Sequence, residues 1–154
     1  MTQRSIRMLD ELHPTAKPIF HDFLDRLDTV LGDDRYIVFE GRRKEAVQEA
    51  YYAQGRESLI EVNSKRAAAG LYLLRSEKDN YIITRTLKSK HIDGLAMDVL
   101  PVDGAGNPTW DLAHFLKTYQ EIRDCGRAAG LICGADWQQA DWPHYEIDGR
   151  RSHE

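Results

Sequence analysis

Apolar positions recur at helical spacing through the first third of the chain. Ile6, Leu9 and Leu12 share one helical face before Pro14 interrupts it. Ile19, Phe20, Phe23, Leu24, Leu27 and Val30 form a second stripe, which Gly32 ends. The pattern then changes: YIVFE at 36–40 is short and β-rich, and predicts a strand. Residues 44–54 return to helical composition and stop at Gly55, and 58–75 predict a helix broken near Gly70. YIITRT at 81–86 predicts another strand, as do residues 96–100, ended by Pro101. Gly104, Gly106, Asn107 and Pro108 make a loop. Residues 110–129 predict a long amphipathic helix through Leu112, Phe115, Leu116, Tyr119 and Ile122, closed by Gly130. Residues 144–147 predict a short extended segment, and 148–154 a polar, frayed tail. Strands and helices alternate without a strict βαβ rhythm. The expectation is an α+β fold, a small, mainly antiparallel sheet packed on helices.

A chain of 154 residues is most simply one domain with room for a real core. No repeat or Gly/Ser-rich linker divides it, so residues 1–154 are expected to form a single domain without a separate targeting module. The net charge of -4 and the absence of a basic run argue against nucleic acid as a partner. No apolar stretch approaches the roughly 20 residues needed to span a bilayer. The N-terminus carries charges but no apolar core of a Sec signal. A protein kept in the cytoplasm until something releases it is the expectation, with no membrane anchor and a monomeric state. Cys125 and Cys133 form no CxxC pair and are expected to be free, buried thiols.

The candidate chemistry lies in two segments, SKHIDGLAMD at 89–98 and DWPHYE at 141–146. His91, Asp98 and His144 offer two imidazoles and a carboxylate, a donor set that suits zinc with a fourth position open. Gly94 permits a sharp turn between His91 and Asp98. A carboxylate three residues before a ligand, Asp141, can serve the water that such an ion activates as general base and pass the proton to a leaving amine. Pro143 stiffens the turn between them. The same residues also read as surface or hydrogen-bonded histidines and turn carboxylates, and spacing alone does not separate the two readings. The helical HExxH motif is absent.

The wider wording of these segments resembles one family. SKHIDGLAMD is similar to the SxHxxGxAxD signature of the M15 zinc peptidases, and DWPHYE to their DxPHFE segment, with Tyr145 for Phe. EGRRKEAVQEAYYAQGR at 40–56 resembles the family's EGxRTxERQxxLYAQGR, and GLICGADW at 130–137 its GLxWGGDW. The resemblance runs from Tyr36 to Glu146 in the family's order. It implies a fold of the hedgehog/DD-peptidase kind, a Zn2+ cofactor held by His91, Asp98 and His144, and Asp141 as general base. It also implies that Arg43 stabilises the developing oxyanion. The subgroup most resembled is the phage endolysin type, which cleaves the L-Ala–D-Glu bond of peptidoglycan stem peptides. That implies a wall-degrading, bacteriolytic enzyme made in the host cytoplasm and acting on the wall after release. Lys44 stands where Ser or Thr is common, Arg42 adds a second cation beside Arg43, and Cys133 and Ala135 replace the usual Trp and Gly. These changes bear on the cleft wall and on which arginine faces substrate.

Several residues support the site or the fold. Ser89 can bond near His91 or simply close a local turn. Gln48 matches a family position and is otherwise a polar helix residue. Glu146 can accept the outer N–H of a ligand histidine or sit on the surface. Trp137, Trp142 and Tyr145 can line a peptide groove or fill the core. Asp136 is expected to brace its loop and Asp93 to be a turn residue. The rival readings are a D-Ala-D-Ala carboxypeptidase or dipeptidase with the same metal site, and a non-catalytic zinc-binding recognition module. The latter would need neither Asp141 nor Arg43.

Overall fold

A computed structural model of the chain describes residues 1–148; the frayed tail expected at 148–154 falls almost wholly outside them. The chain divides into two compact units, one of Met1–Arg42 with Asp93 onward, the other Arg43–Ile92.

The first unit opens with α1 (Gln3–Asp10), whose Thr2 hydroxyl accepts from the Ser5 N–H and so caps a free donor of the first turn. α2 (Lys17–Val30) follows, with Pro18 in its first turn. Gly32, at φ +87°, closes α2 in the left-handed conformation that glycine tolerates best. The predicted stripe is the buried face: Phe20, Phe23, Leu24 and Leu27 are wholly enclosed. Each such side chain contributes about 1.5–3 kcal/mol relative to an exposed one.

These helices share a core with an antiparallel sheet of β1 (Tyr36–Glu40), β2 (Ala96–Pro101), β3 (Ile132–Cys133) and β4 (His144–Glu146). The strand order is β1-β2-β4-β3. The bounds of β1 match the YIVFE reading. β1 lies at the sheet edge, where Arg4 donates to the carbonyls of Val38 and Phe39 at 2.8 and 3.0 Å. The predicted thiols Cys125 and Cys133 are free and buried.

α5 (Leu116–Ala128) is shorter than the predicted 110–129 helix. The Thr109 hydroxyl accepts from the Asp111 N–H, and the Asp111 carboxylate from the His114 N–H. These local bonds compete with a helical ladder, and Trp110 stays 59% exposed.

The second unit contains α3 (Glu45–Ala53) and α4 (Leu59–Ala68), packed around Ala50, Ala53 and Val62. Ser58 caps α4 through the Glu61 N–H. Beyond Gly70 the predicted continuation of the helix is absent. Asn63 instead pairs with both backbone groups of Leu74, at 2.7 and 3.0 Å, and holds that segment as a loop. The strand predicted at 81–86 is also not formed: these residues pair with no other strand among those described. Its β-rich composition is real, but within the described chain it has no partner.

Candidate metal centre and active site

Alternation along β2 and β4 sorts side chains onto two faces. Met97, Val99 and Tyr145 belong to the core. Asp98 lies between the first two and pairs in register with His144 on β4. On the other side Asp98 pairs with Glu40 of β1, so one row runs Glu40, Asp98, His144 across three strands.

The His144 ring is largely buried, with Nδ1 3.3 Å from Asp98 Oδ1 and Nε2 2.9 Å from Glu146 Oε1. Burial by itself disfavours the imidazolium, but the bonds to Asp98 and Glu146 outweigh it and raise the pKa to about 9. This donor chemistry fits a metal. His144 and Asp98 would hold a divalent cation in place of the proton, with Glu146 orienting the ring, as carboxylates do for ligand histidines. The ring of Trp137, 40% exposed, packs 5.1 Å from that of His144.

The approach to His144 is built on a tight crossing. Gly134 accepts the Asp141 N–H at 2.8 Å, and a Cβ on Gly134 would collide with the Asp141 carbonyl. Asp141 is exposed and opens a turn in which the His144 N–H returns to its carbonyl at 3.1 Å. Trp142 is half-buried, packed edge-on to Tyr119 with Arg123 over its ring. The Asp136 carboxylate pairs with Arg127, which braces the loop as its sequence position suggested.

In the second unit, Arg43 donates from Nη1 to Gln48 Oε1 at 2.6 Å and lies over the Tyr51 ring. Its backbone N–H bonds the His91 carbonyl at 2.8 Å. Gln48 is buried, and its Nε2 donates to the Thr86 carbonyl at 2.7 Å. Arg43 is thus held half-buried, whereas neighbouring Arg42 is exposed. His91 is buried, and its N–H donates to the Ser89 hydroxyl at 3.2 Å, the local turn bond among the two readings of Ser89.

A family model described as D-alanyl-D-alanine carboxypeptidase, of the M15 peptidases, matches residues 83–147, which include both motif segments. The segment that carries both motifs is thus similar to the M15 peptidases. The fold agrees with that of Serratia marcescens L-Ala D-Glu endopeptidase ChiX, at 22% identity and a TM-score of 0.58, over all of this chain and 93% of that one. The vancomycin-resistance D,D-pentapeptidase VanY, solved as a mutant with Zn(II), is also similar, at 19% identity and a TM-score of 0.49, over 90% of this chain and 73% of that one. Among curated proteins, none matches.

Asp98, His144 and Glu146 come together in the first unit, and Arg43, Gln48, Ser89 and His91 lie in the second. Tyr145 is a correction. Named as a possible groove wall, it is wholly buried against Phe23, with ring centroids 4.7 Å apart. The signal was present in the sequence: on a strand, the residue between two that share a face must point the other way. Glu40 was missed as a site neighbour. Its place in the row follows from pairing register, which sequence periodicity does not supply.

Proposed function

We propose that this chain hydrolyses peptide bonds in peptidoglycan stem peptides, at the L-Ala–D-Glu bond, with its two units acting as one catalytic domain. His91, Asp98 and His144 hold zinc in this reading. Asp98 and His144 face each other across β2 and β4, and His91 supplies the further imidazole of the same motif segment as Asp98, a donor set that suits the ion. The observation that carries the proposal is the His144 ring, set between Asp98 and Glu146 inside the segment that the family model matches.

Zinc, when bound, supplies Lewis acidity for the scissile carbonyl and for the attacking water. Asp141 takes the proton as the water oxygen adds to the carbonyl carbon. It returns the proton to the amine nitrogen as the C–N bond breaks. Arg43, oriented by Gln48 and Tyr51, stabilises the developing oxyanion. Glu146 keeps the His144 ring in one orientation. A lytic role of the phage endolysin kind is the biological setting that the motif resemblance supports.

The family model's description favours a second reading, release of terminal D-Ala. Digestion of purified peptidoglycan with and without chelator, read by mass spectrometry, separates the two. New N-terminal D-Glu that vanishes with chelator and returns with zinc supports the endopeptidase. Free D-Ala moves the enzyme to the carboxypeptidase branch. No cleavage by a zinc-loaded protein refutes both. Asp141→Ala is expected to abolish hydrolysis with zinc retained, and activity in that variant would remove Asp141 as the base.

A further inference from the structure

The rings of Phe39 and Trp110 meet edge to face, with centroids 5.2 Å apart and planes at 86°. Both stay open to solvent, at 38% and 59% exposure. Apolar side chains scattered singly over a surface are ordinary, whereas a fixed aromatic patch marks a contact site. This one is fixed. Thr109 is buried; its N–H donates to the Pro101 carbonyl at 2.9 Å, and its carbonyl accepts from the Tyr119 hydroxyl at 2.7 Å. Val102 bridges Pro108 on the other limb of the same loop. Trp110 therefore stands on a braced support, and a ligand that stacks on it has little loop to order.

Its place on the sheet ties it to the site. Val38 belongs to the core and pairs with Val99, and a bulge in β1 then brings Glu40, not Phe39, opposite Asp98. Alternation turns Phe39 away from the core, and pairing with Asp98 turns Glu40 the same way. The aromatic pair thus adjoins the β1 end of the Glu40, Asp98, His144 row. His144 lies two strand spacings along that row, roughly 10 Å away.

The residues next to Trp110 add a polar rim. Asp111 and His114 pair at 2.7 Å, with side chains 48% and 82% exposed. A pyranose ring has a face of C–H bonds and a rim of hydroxyl and acetamido groups, so it stacks on an indole and hydrogen-bonds at the edge. In peptidoglycan the stem peptide hangs from the lactyl group of N-acetylmuramic acid, and L-Ala is its first residue. The L-Ala–D-Glu bond is therefore one residue from the sugar. The D-Ala–D-Ala bond lies three residues further out, about 10 Å along an extended chain.

We propose that Trp110 and Phe39 form a sugar platform, on which the N-acetylmuramic acid ring bearing the stem peptide stacks, with Asp111 and His114 at its polar rim. A sugar seated there brings the nearer bond, L-Ala–D-Glu, over the row. The inference rests on the peptidoglycan reading above, since it names the subsite that holds the glycan part of that substrate.

The test compares the disaccharide tetrapeptide of peptidoglycan with the N-lactyl tetrapeptide, which keeps the acyl link and lacks the sugar. In wild type the KM for the sugar-free compound is expected to be about two- to ten-fold higher, the range of one aromatic contact. Trp110→Ala is expected to bring that ratio to about one. Equal KM values in wild type, or a ratio that survives Trp110→Ala, overturn the platform and leave the cleavage reading standing. Binding is read separately on zinc-loaded Asp141→Ala protein, from the three Trp indole N–H resonances in NMR spectra. The resonance missing from a further Trp110→Phe variant is that of Trp110. It is expected to shift with the disaccharide tetrapeptide and to stay in place with the N-lactyl compound. That shift without cleavage of either compound by wild type sustains the platform and overturns the catalytic reading. A Trp110 resonance that ignores the disaccharide, or answers both compounds alike, overturns the platform.

Discussion

Replacing Tyr145 by Phe should stabilise this protein. The Tyr145 side chain is wholly buried, and its hydroxyl has no hydrogen-bond partner among the described residues. A hydroxyl withdrawn from water without compensation costs about 1–3 kcal/mol. The ring keeps its contact with Phe23 in the variant, so the packing contribution is retained. The vacated oxygen leaves a small void that offsets part of the gain. The expected net stabilisation is about 1 kcal/mol, or about 2–4 °C in Tm for a chain of this size. Burial raises the phenol pKa well above its ordinary value, so the gain should not vary between pH 6 and 9. Urea titration and calorimetry of wild type and variant, both zinc-loaded, measure it. A loss of stability would show that the hydroxyl has a partner and would refute the reasoning.

Glu146→Gln, which removes the charge that holds the outer nitrogen of His144, should weaken zinc binding about 10–100-fold; competition with a chromogenic chelator reads this, and unchanged affinity would detach Glu146 from the metal. In metal-free protein the folded-state pKa of His144 lies near 9, above its ordinary 6.5. Its contribution to stability is therefore complete below pH 6.5 and is lost as pH rises through about 9, which urea titrations across that window will show. Zinc must displace that proton, so affinity should climb over the same range, and a flat profile would contradict the ion triad. Gly134→Ala should destabilise the protein by about 2 kcal/mol or more, since the new methyl meets the Asp141 carbonyl and not a yielding side-chain tip. Thermal denaturation reads that cost, and a variant as stable as wild type would show that the crossing can open.

Where local pattern and tertiary demand agree, the sequence could be read directly. The stripe of α2, the strand β1 and the glycine stops at 32 and 55 correspond to the structure because buried faces impose periodicity and tight stops need positive φ. The two overextended helices share one cause: side chains binding backbone. Asn63 holds Leu74, and Thr109 and Asp111 occupy the N–H groups of Asp111 and His114, where apolar spacing alone predicted helix. The YIITRT strand failed differently, because a strand needs a neighbour and composition does not say whether the chain provides one. In the site, the motif segments pointed to Asp98 and His144, and the two meet across one strand pair. Glu40 and the buried side of Tyr145 required register and strand alternation.

The distance along the chain between β1 and β2 bears on how the protein is made. These strands pair directly, Tyr36 with Pro101 and Glu40 with Asp98, yet the whole second unit is threaded between them. A ribosome adding about 5–20 residues per second leaves β1 waiting roughly 3–11 s for its neighbour. During that interval the nascent chain carries a strand without its β2 neighbour, and of its own unit α1 and α2 are already made to shelter it. Arg4, already synthesised and aimed at the Val38 and Phe39 carbonyls, can guard one side of that strand from the outset. The side that awaits β2 has no such guard, so the vulnerable period in this protein's life falls before the second half of its sheet exists.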